Sequence, residues 1–166
     1  MTVRRIPRKE QGAFMIEVLV TILIMSVGLL GVAAMQAEAL KSGNDGILRS
    51  KAVAAIADIT DRIRANPDGL ASYTRVLSGT PVASPPDCVA NQCTAAQMAT
   101  YDMSQWMASL LDPASGLPGA KAAIVQPAAP PAGTPGLLTI TVQWTDRQQR
   151  GETAATPEQY TTQVQF

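Results

Sequence analysis

An uninterrupted apolar segment near the N-terminus is the feature that most constrains how this chain can fold. From Val18 to Met35 it has 18 residues without a charge. At ~1.5 Å of rise per residue, a helix of this length comes close to the ~20 residues that cross the hydrocarbon core of a bilayer. The segment therefore predicts a membrane-spanning helix. Glu17, at its start, needs an explanation because a carboxylate in hydrocarbon is costly.

The charges around this segment predict its orientation and exclude some functions. Residues 1–12 carry a net charge of +3, which leaves 9 basic and 12 acidic residues in the rest of the chain. The positive-inside rule then places the N-terminus in the cytoplasm and the remainder outside it. A remainder that is net negative argues against binding to nucleic acid, which needs a basic surface. Histidine is absent, which excludes triads with a histidine base and histidine-rich metal sites.

Two ordinary alternatives for the apolar segment are a cleaved signal peptide and a plain signal anchor. A signal peptide fits poorly because the run is long and lacks a small-x-small exit followed by a polar mature start. A plain anchor fits the length but leaves Glu17 unexplained.

The sequence QGAFMIEVLVTILIMSVGLLG, which begins at Gln11, resembles the class III signal of type IV prepilins. That signal consists of a short basic leader, a glycine, a cleavage point and an apolar helix with glutamate as its fifth residue. Here Gly12 matches the glycine, Ala13 the new N-terminus and Glu17 the fifth residue. Phenylalanine is commonest at the first mature position, and Ala13 departs from that pattern.

The resemblance implies how the segment is processed and used. A prepilin peptidase would remove the leader, residues 1–12, on the cytoplasmic side of the membrane and N-methylate the amine of Ala13. Glu17 lies one helical turn after Ala13, on the same face. In a growing fibre its carboxylate would meet the amine of a neighbouring subunit, and such pairing would favour one docking register. The alternative is that Glu17 only extends to the membrane interface.

Beyond the membrane the helix is predicted to continue to Ala65. An apolar stripe with helical spacing supports this, while the charged residues lie off it; the stripe is Leu48, Ala52, Ala55, Ile56, Ile59 and Ile63. Asn66-Pro67-Asp68-Gly69 predicts the end of the helix. The glycine-containing segment KSGNDG, residues 41–46, is the predicted break within it. Residues 13–40 then form a transmembrane and assembly half, and residues 41–69 an exposed amphipathic half.

Residues 70–166 predict a globular domain. A short helix is predicted from Thr94, its N-cap, to a stop at Asp112-Pro113, with the apolar stripe Ala99, Met103, Trp106, Met107 and Leu110. Three strands are predicted at 121–127, 137–146 and 159–166, the second of which alternates cleanly. Residues 126–136 are a proline-rich loop, and residues 70–87 carry no recognised pattern. The predicted fold class is α+β: a long N-terminal helix packed on a small antiparallel sheet, with a second short helix.

The globular part resembles a particular branch of the family, the PilV minor pilins, also called pilus modification proteins. The motifs are DRIRANPDG, the close cysteine pair, YDMSQWMASL, LPG before a strand, and ITVQWTD. The resemblance implies a structural subunit without catalytic activity or cofactor. It would join other minor pilins and the major pilin in a priming or tip complex that supports pilus assembly, adhesion and twitching motility. It would meet the prepilin peptidase, the assembly machinery and the lipid of the bacterial inner membrane before it enters the pilus, or fimbrium.

Cys88 and Cys93 are the two cysteines. A zinc site would need further cysteine or histidine ligands, which the chain lacks, and a redox pair would normally read Cys-x-x-Cys. Because the periplasm is oxidising, a structural disulfide is predicted, with two free thiols as the alternative. Closing so short a loop contributes only roughly 2 kcal/mol in the chain-entropy model.

Two other functions remain open at the level of sequence. A minor pseudopilin of type II secretion would have the same architecture. A periplasmic enzyme or receptor domain on a signal anchor belongs to a different class, and no residues converge as nucleophile and base to support it.

Overall fold

The computed structural model describes residues 11–126, 137–145 and 157–166. In chain order its elements are α1 (Gln11–Ala65), a 3₁₀ helix (Pro67–Tyr73), β1 (Arg75–Ser78), α2 (Ala95–Leu111), β2 (Lys121–Val125), β3 (Leu137–Trp144) and β4 (Glu158–Gln165). The chain divides into an N-terminal unit, Met1–Gly43, and a head unit, Asn44–Phe166. Most of the predicted leader (residues 1–10) and of the proline-rich loop (127–136) lies outside the described residues.

Helix α1 is continuous for 55 residues, so the predicted break at residues 41–46 is wrong. The segment contains two glycines but no proline. Each glycine keeps its backbone N–H, and it disfavours a helix by only about 0.8–1 kcal/mol relative to alanine. Long helical stretches on both sides can offset that amount. The helix ends at Ala65, as the Asn66-Pro67 sequence predicts.

The predicted stripe on the second half of α1 is the part of the helix that enters the core. Leu48, Ala52, Ile56, Ile59 and Ile63 are buried, and Ala55 packs against them at the margin. Thr60 is buried beside the stripe, where its hydroxyl donates to the Ile56 carbonyl at 2.7 Å. A buried hydroxyl satisfied within its own helix leaves no unpaired polar group in the core.

Helix α2 begins and ends where its sequence predicts. The Thr94 hydroxyl accepts from the Gln97 amide at 3.3 Å, and the Gln97 side chain accepts from the Thr94 amide at 2.9 Å. This capping box satisfies two amides that the first turn leaves free. The predicted stripe is buried along its whole length. After α2, hydrogen bonds from the Ser115 and Ala114 amides to Asp112 lower the pKa of that carboxyl.

The four strands form one antiparallel sheet in the order β1-β2-β3-β4. Strand β3 pairs with β4 over its full length, from Leu137 opposite Gln165 to Trp144 opposite Glu158. Along β3 the side chains alternate between buried and half-buried, because successive residues face opposite sides of a sheet. Strand β4 alternates between exposed and half-buried residues from Gln159 to Gln165.

A single core joins the α1 stripe, the α2 stripe and the inward residues of β2 and β3. The sheet contributes Ala122, Ile124, Leu138, Ile140, Val142 and Trp144 to it. The predicted α+β class is confirmed, with a long apolar helix, a second helix and a small antiparallel sheet as in type IV pilins.

Two elements occupy the region for which the sequence predicted no structure. The 3₁₀ helix follows α1 directly and buries Tyr73. Strand β1 is four residues long, and its pairing with β2 shifts register between Arg75 and Ser78. Short, irregular elements of this kind have too few residues to show a period.

Candidate assembly interface

The first half of α1 is an apolar surface that no other described part of the chain covers. Its large apolar side chains are exposed without exception from Met15 to Leu40; they are Met15, Ile16, Val18, Leu19, Val20, Ile22, Leu23, Ile24, Met25, Val27, Leu29, Leu30, Val32, Met35 and Leu40. Among the described residues, α1 is the one helix long and apolar enough to cross a membrane. An exposed apolar surface of this extent is characteristic of a lipid or protein contact.

The hydroxyl groups of this segment are satisfied inside the helix. The Thr21 hydroxyl donates to the Val18 carbonyl at 2.8 Å, and the Ser26 hydroxyl donates to the Ile22 carbonyl at 2.6 Å. A polar side chain in hydrocarbon is tolerated when its hydrogen bonds are made within the segment. These two residues therefore do not oppose insertion of the segment into a bilayer.

Glu17 is the exception within the apolar run of this surface. Its side chain is exposed, and no other ionisable residue occurs between Met15 and Ala37. Gly12 and Ala13 both lie in α1, with Ala13 one helical turn before Glu17. The structure thus places the three residues of the predicted signal on one helix, and their cleavage, methylation and docking roles stay predictions.

Gly28 and Gly31 interrupt the apolar surface with small residues. A Cβ atom built at either position would meet nothing within 4 Å. Packing against the described residues therefore does not require glycine there, although glycine disfavours a helix. In membrane helices, small residues allow a second helix to approach closely.

A polar cluster fixes the end of α1 against the rest of the head unit. The Tyr73 hydroxyl donates to Asp102 at 2.6 Å, and Arg62 donates to the other oxygen of Asp102 at 3.3 Å. Arg62 also holds Asp58 at 3.0 Å. Asn66 donates to the Tyr73 hydroxyl at 3.3 Å and to the Ala95 carbonyl at 2.8 Å. The cluster ties α1 and the 3₁₀ helix to α2.

The environment of the cluster shifts two pKa values. Burial, reinforced by the hydrogen bond to Asp102, raises the pKa of Tyr73. Partial burial lowers the pKa of Arg62, but the hydrogen bonds and charges of Asp58 and Asp102 together outweigh it, so the net pKa is raised. Both shifts move titration further from neutral pH, so Tyr73 stays protonated and Arg62 stays charged, which suits a structural role rather than proton transfer.

The sequence predicted only part of this cluster. It identified Asp58 and Arg62 as an exposed pair four residues apart, and the structure adds Tyr73 and Asp102. Asp102 lies 40 residues from Arg62 and 29 from Tyr73, so no local spacing connects them. One available signal was Asp102 itself, a carboxylate one residue before Met103 on the buried stripe of α2.

Removal of the Tyr73 hydroxyl should destabilise the head unit. Tyr73→Phe leaves Asp102 without its shortest hydrogen bond in a partly buried place, and we expect a loss of about 1–2 kcal/mol in the free energy of unfolding. Urea denaturation of the detergent-solubilised chain, followed by tryptophan fluorescence, measures this loss. Tyr101→Phe is the matched control, because its hydroxyl has no hydrogen bond among the described residues, and it should change stability by less than about 0.5 kcal/mol. Equal effects of the two variants would contradict a stabilising role for the cluster.

Cys88 and Cys93 form a disulfide in the structure, with 5.5 Å between their Cα atoms. The Asp87 carboxylate accepts from the amides of Val89 and Ala90, both at 3.1 Å. The bridge and these bonds hold the loop that leads into the N-cap of α2. No group of three or more histidine, cysteine, aspartate or glutamate side chains within residues 11–126, 137–145 and 157–166 could hold a metal ion.

Comparison with known proteins gives one match. Residues 34–104 match a protein family described as Tt1218-like, type IV pilin Tt1218, whereas no curated protein and no solved structure matches the chain. The matched range runs from within α1 to within α2 and does not include Gly12, Ala13 or Glu17. The family match and the N-terminal motif are therefore separate observations, and both support a type IV pilin. Proteins of that family are structural subunits that assemble with other pilins, and the match supports a subunit of this kind.

Proposed function

We propose that this chain, taken as a type IV pilin subunit, is a minor pilin of the PilV type. In this role it joins other minor pilins in a priming or tip complex, promotes growth of the pilus from the major pilin, and so supports adhesion and twitching motility. The observation that carries the proposal is the exposed apolar half of α1, in which Glu17 is the one ionisable residue between Met15 and Ala37, followed by a folded α+β head unit.

The apolar surface of α1 serves first in the membrane and then in the fibre. Before assembly, the apolar half of α1 lies in the inner membrane, with the N-terminus in the cytoplasm and the head unit in the periplasm. Prepilin peptidase removes residues 1–12 and methylates Ala13. In the fibre, contacts with neighbouring apolar helices replace contacts with lipid, while the amine–Glu17 pair supplies specificity that apolar packing lacks.

The head unit supports the minor-pilin part of the proposal. Its motifs resemble those of PilV proteins, and a single hydrophobic core joins its helices to its sheet. The Cys88–Cys93 bridge and the polar cluster around Asp102 contribute rigidity on the side of the head unit where α2 begins.

The proposal is tested by intact-mass measurement and by localisation. Protein extracted from membranes should lack residues 1–12 and carry one added methyl group. Sheared pili should contain it in a small proportion relative to the major pilin, and deletion of its gene should reduce piliation. Protein of unprocessed mass would contradict the prepilin assignment. A normal pilus in the deletion strain, together with loss of protein secretion, would instead identify a type II pseudopilin.

A further inference from the structure

The two edges of the four-stranded sheet differ in how they are protected from pairing with another strand. The β1 edge is four residues long, shifts register against β2 and contains Arg75. The β4 edge is eight residues long and pairs with β3 without a register shift. After Glu158 it contains no charged residue, proline or glycine. Short length, irregular register and charge are the features that protect an edge strand, so β1 is protected and β4 is not.

Half of the backbone groups of β4 point away from β3. In an antiparallel pair, alternate residues direct their N–H and C=O groups toward the neighbouring strand, and the others direct them outward. Among the described residues, no strand lies beyond β4, and no backbone hydrogen bond from outside the sheet reaches it. A row of outward N–H and C=O groups is complementary to the edge of another strand.

The core-facing side of β4 is incompletely buried. Tyr160, Val164 and Phe166 pack against the hydrophobic core but are only half-buried. A further strand beside β4 would cover more of these side chains, because cross-strand neighbours on one face of a sheet contact each other. The opposite side of β4 presents exposed, uncharged polar residues, which are Gln159, Thr161, Gln163 and Gln165.

A second copy of β4 has the side-chain pattern that such a strand needs. When two copies run antiparallel with Thr162 opposite Thr162, the core-facing residues of one copy lie beside the core-facing residues of the other. Tyr160 of each copy then faces Val164 of the other, and Gln159 faces Gln165. Aromatic–β-branched and Thr–Thr pairs are favourable cross-strand pairs, so β4 is complementary to itself in this register.

The charges at the ends of β4 favour the same register. Glu158 of one copy faces Phe166 of the other, and the Arg64 guanidinium lies 5.9 Å from the centre of the Phe166 ring. The Arg64 side chain contacts Asp61 at 3.6 Å but stays 58% exposed, so it is accessible to a second carboxylate. The two Glu158 carboxylates lie at opposite ends of the paired strands, about 26 Å apart. Each carboxylate therefore lies near a cation of the other copy rather than near its own counterpart.

We infer that β4 pairs antiparallel with β4 of a second copy of this chain, with Thr162 at the two-fold axis. Two four-stranded sheets then become one sheet of eight strands. This self-association goes beyond the proposed function, because it does not depend on entry into a pilus. A strand of a different protein, or another segment of the same chain, could also occupy the β4 edge, and the experiment distinguishes these occupants from a second copy.

Cysteine crosslinking of the full chain in its own membranes tests the register. Cys88 and Cys93 are joined, so added thiols report on their own. Thr162→Cys should form an interchain disulfide with its own copy. Gln159→Cys and Gln165→Cys should form one only when the two variants are coexpressed, because each lies about 20 Å from its own counterpart. Close and wide pairs alternate along antiparallel strands, so one of these two combinations has the closer spacing.

We expect a disulfide-linked dimer from at least one of the two combinations, at a yield at least tenfold above that of Gln159→Cys alone. Non-reducing electrophoresis and mass spectrometry of the linked peptides measure the yield and identify the partner. A yield from Gln159→Cys alone equal to that of both combinations would overturn the inference. Absence of a dimer from both combinations, or disulfides only to a different protein or within one chain, would also overturn it.

A pair of charge variants provides the second measurement. Thr162→Glu puts two carboxylates opposite each other at the two-fold axis, and like charges in that position destabilise strand pairing. Gln159→Glu is the matched control, because it adds the same charge to the same strand but faces Gln165. Sedimentation in density-matched detergent should show a dimer whose dissociation constant rises at least tenfold in Thr162→Glu and is unchanged in Gln159→Glu.

Thermal melting checks that the head unit of each variant folds. If Thr162→Glu does not fold, Glu158→Arg makes the same test at an exposed residue, because it brings two cations together at each end of the paired strands. A wild-type chain that sediments only as a monomer would overturn the inference, as would equal dissociation constants for the charge variant and its control. Leader removal and recovery in sheared pili, followed in the same strains, test the pilin function separately. A processed chain that is found in pili but forms no β4-linked dimer overturns the inference and leaves that function standing.

Discussion

A Gly12→Leu variant should accumulate in the inner membrane with residues 1–12 still attached. The resemblance to prepilins implies a peptidase pocket that admits only a very small side chain before the cleavage point, and leucine adds four carbon atoms there. The uncleaved chain keeps its basic leader, and Ala13 keeps a neutral amide in place of a cationic amine. Glu17 then has no cation to pair with, so the variant should also be missing from pili.

Intact mass of membrane-extracted protein measures this result directly. Gln11→Leu is the matched control, because it introduces the same side chain one residue earlier, where the signal does not require glycine, and it should be processed normally. Normal removal of residues 1–12 from the Gly12→Leu variant would count decisively against the prepilin assignment.

A Glu17→Val variant should be cleaved and inserted normally but fail to enter the pilus. A carboxylate costs on the order of 3 kcal/mol at the centre of a bilayer, and less near the edge. Pairing with the amine of a neighbouring subunit would recover this amount on docking, which corresponds to at most about a hundredfold bias towards assembly. Valine removes both the cost of inserting the carboxylate and the recovery of that cost on docking, so membrane insertion stays intact while docking loses its specific contact.

The experiment expresses the variant in a strain that lacks the wild-type gene and follows two properties separately. Mass measurement reports whether the leader is removed, and immunoblotting of sheared pili reports incorporation. Glu38→Val is the matched control, since Glu38 is an exposed carboxylate on the same helix beyond the apolar run, and it should enter pili as the wild type does. Cleaved Glu17→Val protein in pili at the wild-type level would show that Glu17 does not drive docking.

The amphipathic and alternating segments were predictable from sequence because burial has a simple period in them. The spacing of Ile56, Ile59 and Ile63 on α1 and of Met103, Trp106 and Leu110 on α2 follows the helical repeat, and all six are buried. Alternation along β3 likewise identifies the four residues that enter the core. In each case a single face meets the core, so a local pattern carries the information.

Other features of the fold could not be predicted, in part because they depend on contacts between residues that are distant in sequence. The Tyr73–Asp102 hydrogen bond joins two elements across 29 residues, and nothing in either local sequence requires it. The break predicted at residues 41–46 failed for a different reason: glycine weakens a helix by a small amount that its neighbours offset. Strand β1 was missed because four residues with a register shift carry no detectable alternation.

In the candidate site, too, local patterns were predictable and contacts between distant residues were not. Gly12, Ala13 and Glu17 are close in sequence, so their resemblance to a prepilin signal is visible without a structure. The polar cluster was predicted only in its Asp58–Arg62 pair, because Asp102 lies 40 residues from Arg62 and 29 from Tyr73.

The order of elements in the head unit has a consequence for how this protein is made. The stripe on α1 is synthesised first, but the core that buries it includes β3, which ends at Trp144, about 80 residues after Ile63. At roughly 5–20 residues per second, the ribosome needs about 4 to 16 s to complete that strand of the core. During this interval Ile56, Ile59 and Ile63 emerge without all of the residues that bury them. The nascent head unit is therefore most open to aggregation or proteolysis before its third strand is complete, so a holdase that binds apolar helices should matter most in that interval.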